Sequence, residues 1–204
     1  MARPTQSLLS RELIVRTALD MVRREHQFTV PGLATRLKVH PSSLYHHVPG
    51  GRGEIVDLMR KELYAGIDLD RLTDSEIPWE VRLQDWTHSY RMATAGAPWL
   101  VPVVVGQPVE DAPTQAIYEA LFALLDESGL PESKWMAAAT MFDVIVLGSA
   151  LDASSPVPLW QNVDSEFSRL SGPMAAHDTQ ERKIGGFAVA VDAAIAWVQG
   201  QVKG

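Results

Sequence analysis

A chain of 204 residues, 46% hydrophobic and 21% charged, is long enough for one large or two small globular domains with a sizeable core. It holds no cysteine, which excludes disulfides, zinc–cysteine centres and thiol catalysis. The net charge of −7 is unevenly placed: residues 1–64 carry ten Lys/Arg against six Asp/Glu, a balance of +4, whereas residues 65–204 stand at −11. A basic head, with four of the six histidines, on an acidic body suggests that the head meets a polyanion. The N-terminus, MARPTQSLLSRELIV, has neither the apolar core nor the cleavage site of a secretory signal, and no uncharged apolar run approaches the ~20 residues a bilayer requires. A cytoplasmic protein without a membrane partner is expected.

Residues 1–9 read as a loose arm, with Arg3 available to a phosphate. Ser10 is a good N-cap, and Leu13/Ile14, Thr17/Ala18 and Met21/Val22 recur every four residues, predicting an amphipathic helix to about His26. Thr29 to Arg52, TVPGLATRLKVHPSSLYHHVPGGR, reads as two short helices joined by a tight turn, then a break. Leu33 and Leu37 share one face beside the small Ala34, and Lys38-Val39-His40 makes the turn, with Val39 as its apolar plug. Pro41 suits the first turn of the next helix, where its missing N–H would be unpaired anyway. Leu44 then points back at Leu33 and Leu37, leaving Ser42, Ser43, Tyr45, His46 and His47 on the outer side. A short helix with an apolar inner face and a hydrogen-bonding outer face is what a major-groove reader needs. Pro49-Gly50-Gly51 breaks the chain before a fourth helix from about Arg52 to Ala65, with Ile55, Leu58/Met59 and Leu63 at helical spacing. Residues 66–77 look like a linker with no fixed face.

All six tryptophans lie beyond Pro78. Pro78–Ala95 reads as a helix. Trp99–Val105 is apolar and β-branched, suiting a buried strand, although prolines at 98, 102 and 108 favour a short irregular helix. Thr114–Glu127 is helical, and a long helix runs to about Ala153. Residues 154–163 form a loop, Asp164–Leu170 a short helix ended by Gly172-Pro173, and Thr179–Val202 the last helix. The long helix carries two apolar stripes: Met136, Thr140, Val144, Leu147 and Leu151, and Ala138/Ala139, Phe142, Ile145/Val146 and Ser149. The last helix has one charge, Asp192, between Ile184 and Val198. A helix apolar all round must be buried all round, so a partner subunit is expected over Phe142, Ile145, Val146, Ser149, Phe187, Val191, Ile195 and Val198.

The order of these parts resembles the tetracycline-repressor (TetR) family of transcriptional regulators. The resemblance is carried by Leu33-Ala34-Thr35-Arg36-Leu37-Lys38-Val39 and Ser43-Leu44-Tyr45-His46-His47-Val48. It continues in Val105-Gly106-Gln107-Pro108 and in Val146-Leu147-Gly148-Ser149-Ala150-Leu151. It implies an all-α fold, with a helix-turn-helix DNA-binding domain over residues 1–65 and a helical ligand-binding and dimerisation domain over residues 66–204. It assigns base edges to Pro41, Ser42, Ser43 and His46, and phosphates to Thr29, Lys38, Tyr45, His47 and Arg52. The hydroxyls and imidazoles there are of the right chemistry. The family's lysine opening the fourth helix is replaced by Gly51 or Gly53, with Arg52 the nearest substitute, and Pro31-Gly32 is an unusual first turn for the second helix. Val104 stands where the family's namesake has a magnesium-holding histidine, and Trp86 where it has a drug-gripping asparagine, so magnesium-tetracycline does not fit.

Trp86, Tyr90, Trp99, Val103, Phe122, Met141 and Trp160 are candidate walls of an apolar ligand pocket, since concave apolar sites are the usual ligand sites. No cofactor or metal is expected: His46 and His47 are adjacent on a helix and point about 100° apart. An enzyme is not expected either, because no G-x-S-x-G, H-E-x-x-H or phosphate-binding glycine loop is present and His88 and His177 lack an evident base-orienting partner. The reading is a homodimeric regulator of double-stranded DNA, a repressor released by a small apolar or amphipathic ligand. The alternative is a helical small-molecule-binding or adaptor protein without DNA-binding activity.

Overall fold

A computed structural model of the chain describes residues 9–155, 157, 160–176 and 178–202. The described residues form helices and turns. The chain divides into two compact units, one holding the residues up to Ala65 together with Trp99–Gln115, the other Gly66–Pro98 and the chain from Ala116 onward.

The first unit contains α1 (Arg11–Glu25), α2 (Val30–Leu37), α3 (Pro41–His47), α4 (Gly51–Leu63) and, after the excursion into the second unit, α7 (Val101–Val105). Ser10 caps α1 by accepting from the Leu13 amide at 3.2 Å. Helix α1 packs on α2 and α4, and α2 on α3. Their shared core is Ile14, Ala18, Val22, Leu33, Leu44, Ile55, Val56 and Met59, all fully buried. The unusual Pro31-Gly32 opening of α2 has a steric reason. Thr29 caps the helix by accepting from the Gly32 amide at 3.1 Å, and a Cβ on Gly32 would stand 2.9 Å from that same hydroxyl. The prolines win over the β-branched residues in α7, which is a helix rather than a strand.

The second unit contains α5 (Leu69–Thr73), α6 (Trp79–Gly96), most of α8 (Ala112–Glu127), α9 (Trp135–Ser154), α10 (Ser168–Ala176) and α11 (Thr179–Val202). A 3₁₀ turn, Glu132–Lys134, leads into α9. Helices α6, α9 and α11 pack on one another. Two sequence expectations change here. Residues 66–77 are not a featureless linker: Asp68 caps α5, Leu72 is buried, and the buried Arg82 donates to the Leu72 and Ile77 carbonyls and to Glu127. Helix α10 starts later than expected and runs on through Gly172-Pro173. In so short a helix the proline forfeits one internal hydrogen bond.

Helix α9 has two apolar sides. The stripe of Ala138, Ala139, Phe142, Val146 and Ala150 is buried, whereas Met136 and Val144 are 68% and 66% exposed. For this reason Glu132–Ser154 is, among the described residues, long and apolar enough on composition to cross a membrane, although it is not an uncharged run. Asp143 sits in the middle of that stretch, and one side of the helix is covered by α6 and α11.

Candidate functional site

The outward face of α3 follows from its anchoring. Leu44 is fully buried beneath the helix, and the αL conformation of Lys38 (φ 57°) turns the chain so that α3 can begin. His40 caps α3, its Nδ1 accepting from the Ser42 amide at 3.3 Å and lying 2.8 Å from the Ser42 hydroxyl. Ser42, Tyr45 and His46 are exposed, and Pro41, Ser43 and His47 are partly so. Thr29 and Lys38 are exposed at the two ends of α2. All of these residues are at least partly open to solvent, and none of them is a carboxylate. Arg3 lies outside the described residues.

Arg11 and Glu54, which sequence reasoning left unassigned, brace the end of α3. Arg11 on α1 donates to the His47 carbonyl at 2.9 Å and pairs with Glu54, whose other oxygen accepts from the Gly50 amide at 2.9 Å. Arg52 lies with its guanidinium 4.5 Å above the Phe28 ring and donates to the Phe28 carbonyl at 3.3 Å. Gly51 has φ 60°, and a Cβ there would come within 3.1 Å of the Tyr45 ring. A side chain at this position would be strained and would press on Tyr45, so glycine suits the opening of α4 better than a lysine does.

At the far end of α4, Arg60 is 1% exposed. Its Nη1 donates to Asp57 at 2.8 Å and Asp111 at 2.9 Å, and its Nη2 to the carbonyls of Val104, Gln107 and Pro108 at 2.9, 3.1 and 3.2 Å. Asp111 also caps α8 through the Thr114 amide at 2.8 Å. Burial pushes the Asp57 carboxyl above its ordinary range, against the pull of Arg60. Burial acts on Asp111 too, but hydrogen bonds from Thr114 and Arg60 outweigh it and hold that carboxyl below its ordinary range.

The candidate pocket residues are divided between the two units, and those of the second unit fall into separate groups. Trp99 and Val103 belong to the first unit and the other five to the second. Trp86 and Tyr90 are buried, 5.5 Å apart between ring centroids, and Phe142 meets Trp86 edge-on at 6.2 Å. Phe122 stacks instead on Trp135 at 6.0 Å, and Met141 is half-buried on α9. Trp160 lines a cleft of about 400 Å³ with Leu170, Met174 and Arg182, the Arg182 guanidinium standing 5.8 Å from its ring. Sequence reasoning missed the polar members of the Trp86 cluster. Tyr118 on α8 donates to both oxygens of Asp143 on α9 at 3.1 Å, Tyr90 hydrogen-bonds the same carboxyl, and burial pushes it above its ordinary range. The available signal was that Asp143 is the only charge between Lys134 and Asp152.

The residues expected at the subunit interface divide by burial within the single chain. Phe142, Val146, Phe187, Val191, Ile195 and Val198 are packed inside their own chain, and Ile145 and Ser149 are half-buried, Ser149 accepting from Arg91 at 2.7 Å. The apolar groups left exposed on these helices are Met136, Val144, Leu151, Ile184 and Val189. His88 sits edge-on to Phe187 at 5.1 Å, and His177 lies outside the described residues. No group of three or more potential metal ligands occurs among the described residues.

A helix-turn-helix head on an all-helical body defines the class of helix-turn-helix transcriptional regulators. Residues 73–176, half of the chain, match the family model of the tetracyclin repressor-like C-terminal domain, and the chain belongs to the TetR family of DNA-binding transcriptional regulators. It is similar to an HTH-type transcriptional regulator of Saccharopolyspora erythraea, 25% identical over 167 residues covering 81% of this chain and 68% of that one. Its fold is similar to that of apo ActR from Streptomyces coelicolor, with a TM-score of 0.71 and 21% identity over 96% of this chain and 99% of that one. A TetR variant from Acinetobacter baumannii in complex with minocycline aligns with a TM-score of 0.64 and 20% identity, over 93% and 96% of the two chains. Proteins of this family are regulators rather than enzymes.

Proposed function

We propose that this regulator is a cytoplasmic homodimeric repressor, held on a palindromic operator by α3 and released by a small apolar or amphipathic ligand. In this reading residues 1–65 are the DNA-binding domain and residues 66–204 the ligand-binding and dimerisation domain. The observation that carries it is the outer face of α3, where Ser42, Tyr45 and His46 are exposed above a fully buried Leu44 in a head of net charge +4. Base edges go to Pro41, Ser42, Ser43 and His46, and phosphates to Thr29, Lys38, Tyr45, His47 and Arg52. The exposed apolar sides of α9 and α11 are the surface a second copy would cover, because such patches on a lone chain mark interaction sites. Ligand binding by ActR, which has been solved with actinorhodin, supports a ligand-responsive body. An effector releases DNA only to the extent that it binds the DNA-incompetent form more tightly. Arg60 is the proposed link, since it ties the end of α4 to α7 and the loop after it. The test is selection and sequencing of DNA bound by the purified protein. A two-fold symmetric site bound with a steep salt dependence is expected, and failure to enrich any symmetric sequence would overturn the reading.

A further inference from the structure

Trp86 is 3% exposed, and its indole Nε1–H has no hydrogen-bond partner among the described residues. Buried polar groups are nearly always paired, so an orphaned donor of this kind calls for an acceptor from elsewhere. The same cluster contains the converse imbalance. Asp143 accepts from the Tyr118 hydroxyl at 3.1 Å on each oxygen and from Tyr90, but among the described residues no cation pairs with it. A partly buried carboxylate with hydrogen bonds but no counter-charge is incompletely compensated. Tyr90, a partner of Asp143, and Phe142 are centred 5.5 and 6.2 Å from Trp86. Helices α6, α8 and α9 thus bring together a donor without an acceptor, an anion without a cation, and ring faces that attract positive charge.

We propose that Trp86 and Asp143, with Tyr90 and Tyr118, form the polar anchor of a ligand site, and that its ligand is a protonated amine on an aromatic frame bearing an oxygen acceptor. The amine supplies the charge that Asp143 lacks; a hydroxyl would only duplicate what the two tyrosines already donate. The oxygen acceptor follows from the indole, which donates and cannot accept. A carboxylate-bearing ligand is disfavoured, because it would place like charges side by side. This inference rests on the proposed ligand-responsive regulator and narrows its apolar or amphipathic ligand to one charge type.

The test uses the full chain and the para-aminomethyl, para-hydroxymethyl and para-carboxy derivatives of benzophenone, with para-benzylbenzylamine as the amine that lacks the ketone. Affinities are read by titration calorimetry, and the indole N–H signals by NMR, with Trp86 assigned through Trp86→Phe. The aminomethyl ketone should bind roughly tenfold or more tightly than the hydroxymethyl ketone, as a charge-assisted hydrogen bond would give. The carboxylate should bind weakest, and removing the ketone should weaken binding and abolish the shift of the Trp86 signal. Asp143→Asn should erase the preference for amine over hydroxymethyl while keeping that for the ketone, and Trp86→Phe should do the reverse. The ranking within the unaltered protein needs no variant and stands if either one fails to fold. No binding by any probe, an equal or reversed ranking, or an amine preference unchanged in a folded Asp143→Asn protein would overturn the proposal. Retention of operator DNA is measured in parallel. If the ranking holds but the aminomethyl ketone leaves DNA binding untouched, the anchor stands and the regulatory reading falls. If other compounds release DNA while the ranking fails, only the anchor falls.

Discussion

Arg60 and Asp111, 51 residues apart in sequence, meet at 2.9 Å, with the Arg60 side chain almost wholly out of solvent. Three carbonyls and a second carboxylate complete the set of acceptors around the guanidinium. The planar fork of arginine satisfies several acceptors at fixed angles, which a lysine ammonium cannot do. Removing the cation takes a partner from each of these acceptors, although Asp111 keeps the Thr114 amide and Asp57 keeps some contact with solvent. Arg60→Met should therefore cost about 3 kcal/mol or more in urea unfolding, the range for breaking a buried pair from one side. Arg60→Lys should recover only part of that loss. If Arg60→Met unfolds at the same urea concentration as the parent, the network has no structural weight.

Gly51 and Gly53, both in the first turn of α4, should respond to alanine in opposite directions. Gly53 has open space around its Cβ position and an ordinary helical backbone, so Gly53→Ala should stabilise by about 0.5–1 kcal/mol through reduced chain entropy. Gly51 combines φ 60° with a 3.1 Å approach to the Tyr45 ring, so Gly51→Ala should destabilise and shift Tyr45. Thermal melts of the two variants give the comparison, and equal shifts would contradict it.

The head was legible because its determinants are local. Ser10 and Thr29 cap, Pro41 opens α3, and Leu33, Ala34 and Leu44 converge within about a dozen residues of one another in sequence. The body was less so, for a physical reason. Helical periodicity shows that α9 has two apolar stripes, but it does not say which one its own chain covers, since both are equally hydrophobic. The inward choice is made by long-range packing of α6 and α11. The same applies to Asp143, whose partners Tyr90 and Tyr118 come from two other helices. Leu72 was missed because a one-turn helix carries too few residues to show a period.

That division of α9 yields a mutational contrast. Val144→Asp and Val189→Asp place a charge on exposed apolar positions and should dissociate the proposed dimer in sedimentation while leaving the melting of the monomer little changed. Phe142→Asp puts an unpaired charge at a fully buried position and should unfold the chain, at a cost of several kcal/mol. Dissociation by Phe142→Asp with intact folding, and none by Val144→Asp, would reverse the assignment of faces.

On the DNA side, the proposed reading gives two exposed neighbours on one helix different roles, His46 a base edge and Tyr45 a phosphate. His46→Ala should alter which bases are preferred, losing roughly 1–3 kcal/mol at a contacted position. Tyr45→Phe removes a hydroxyl assigned to a phosphate and should weaken all sequences about equally. Selection experiments on both variants decide the matter, and a changed preference in Tyr45→Phe alone would exchange the two assignments.

The remaining prediction concerns acidity. Burial raises the folded-state pKa of Asp143, and the hydrogen bonds from Tyr118 and Tyr90 offset this only in part. A carboxyl whose pKa is higher folded than unfolded holds its proton more tightly in the native state. Its contribution to stability is thus most favourable at low pH, and it declines as pH rises from the ordinary carboxylate value to the raised folded one. Asp143→Asn keeps the shape and cannot ionise, so this decline should be missing from the variant. Urea unfolding free energies of both proteins, measured from pH ~4 to neutrality, should diverge in favour of the variant as pH rises through that window. Asp57, raised, and Asp111, lowered, titrate in both proteins and cancel in the difference. A pH-independent difference would mean that Asp143 titrates alike in the folded and unfolded chain. A divergence of the opposite sign would mean that the two tyrosines hold its anionic form more firmly than burial disfavours it.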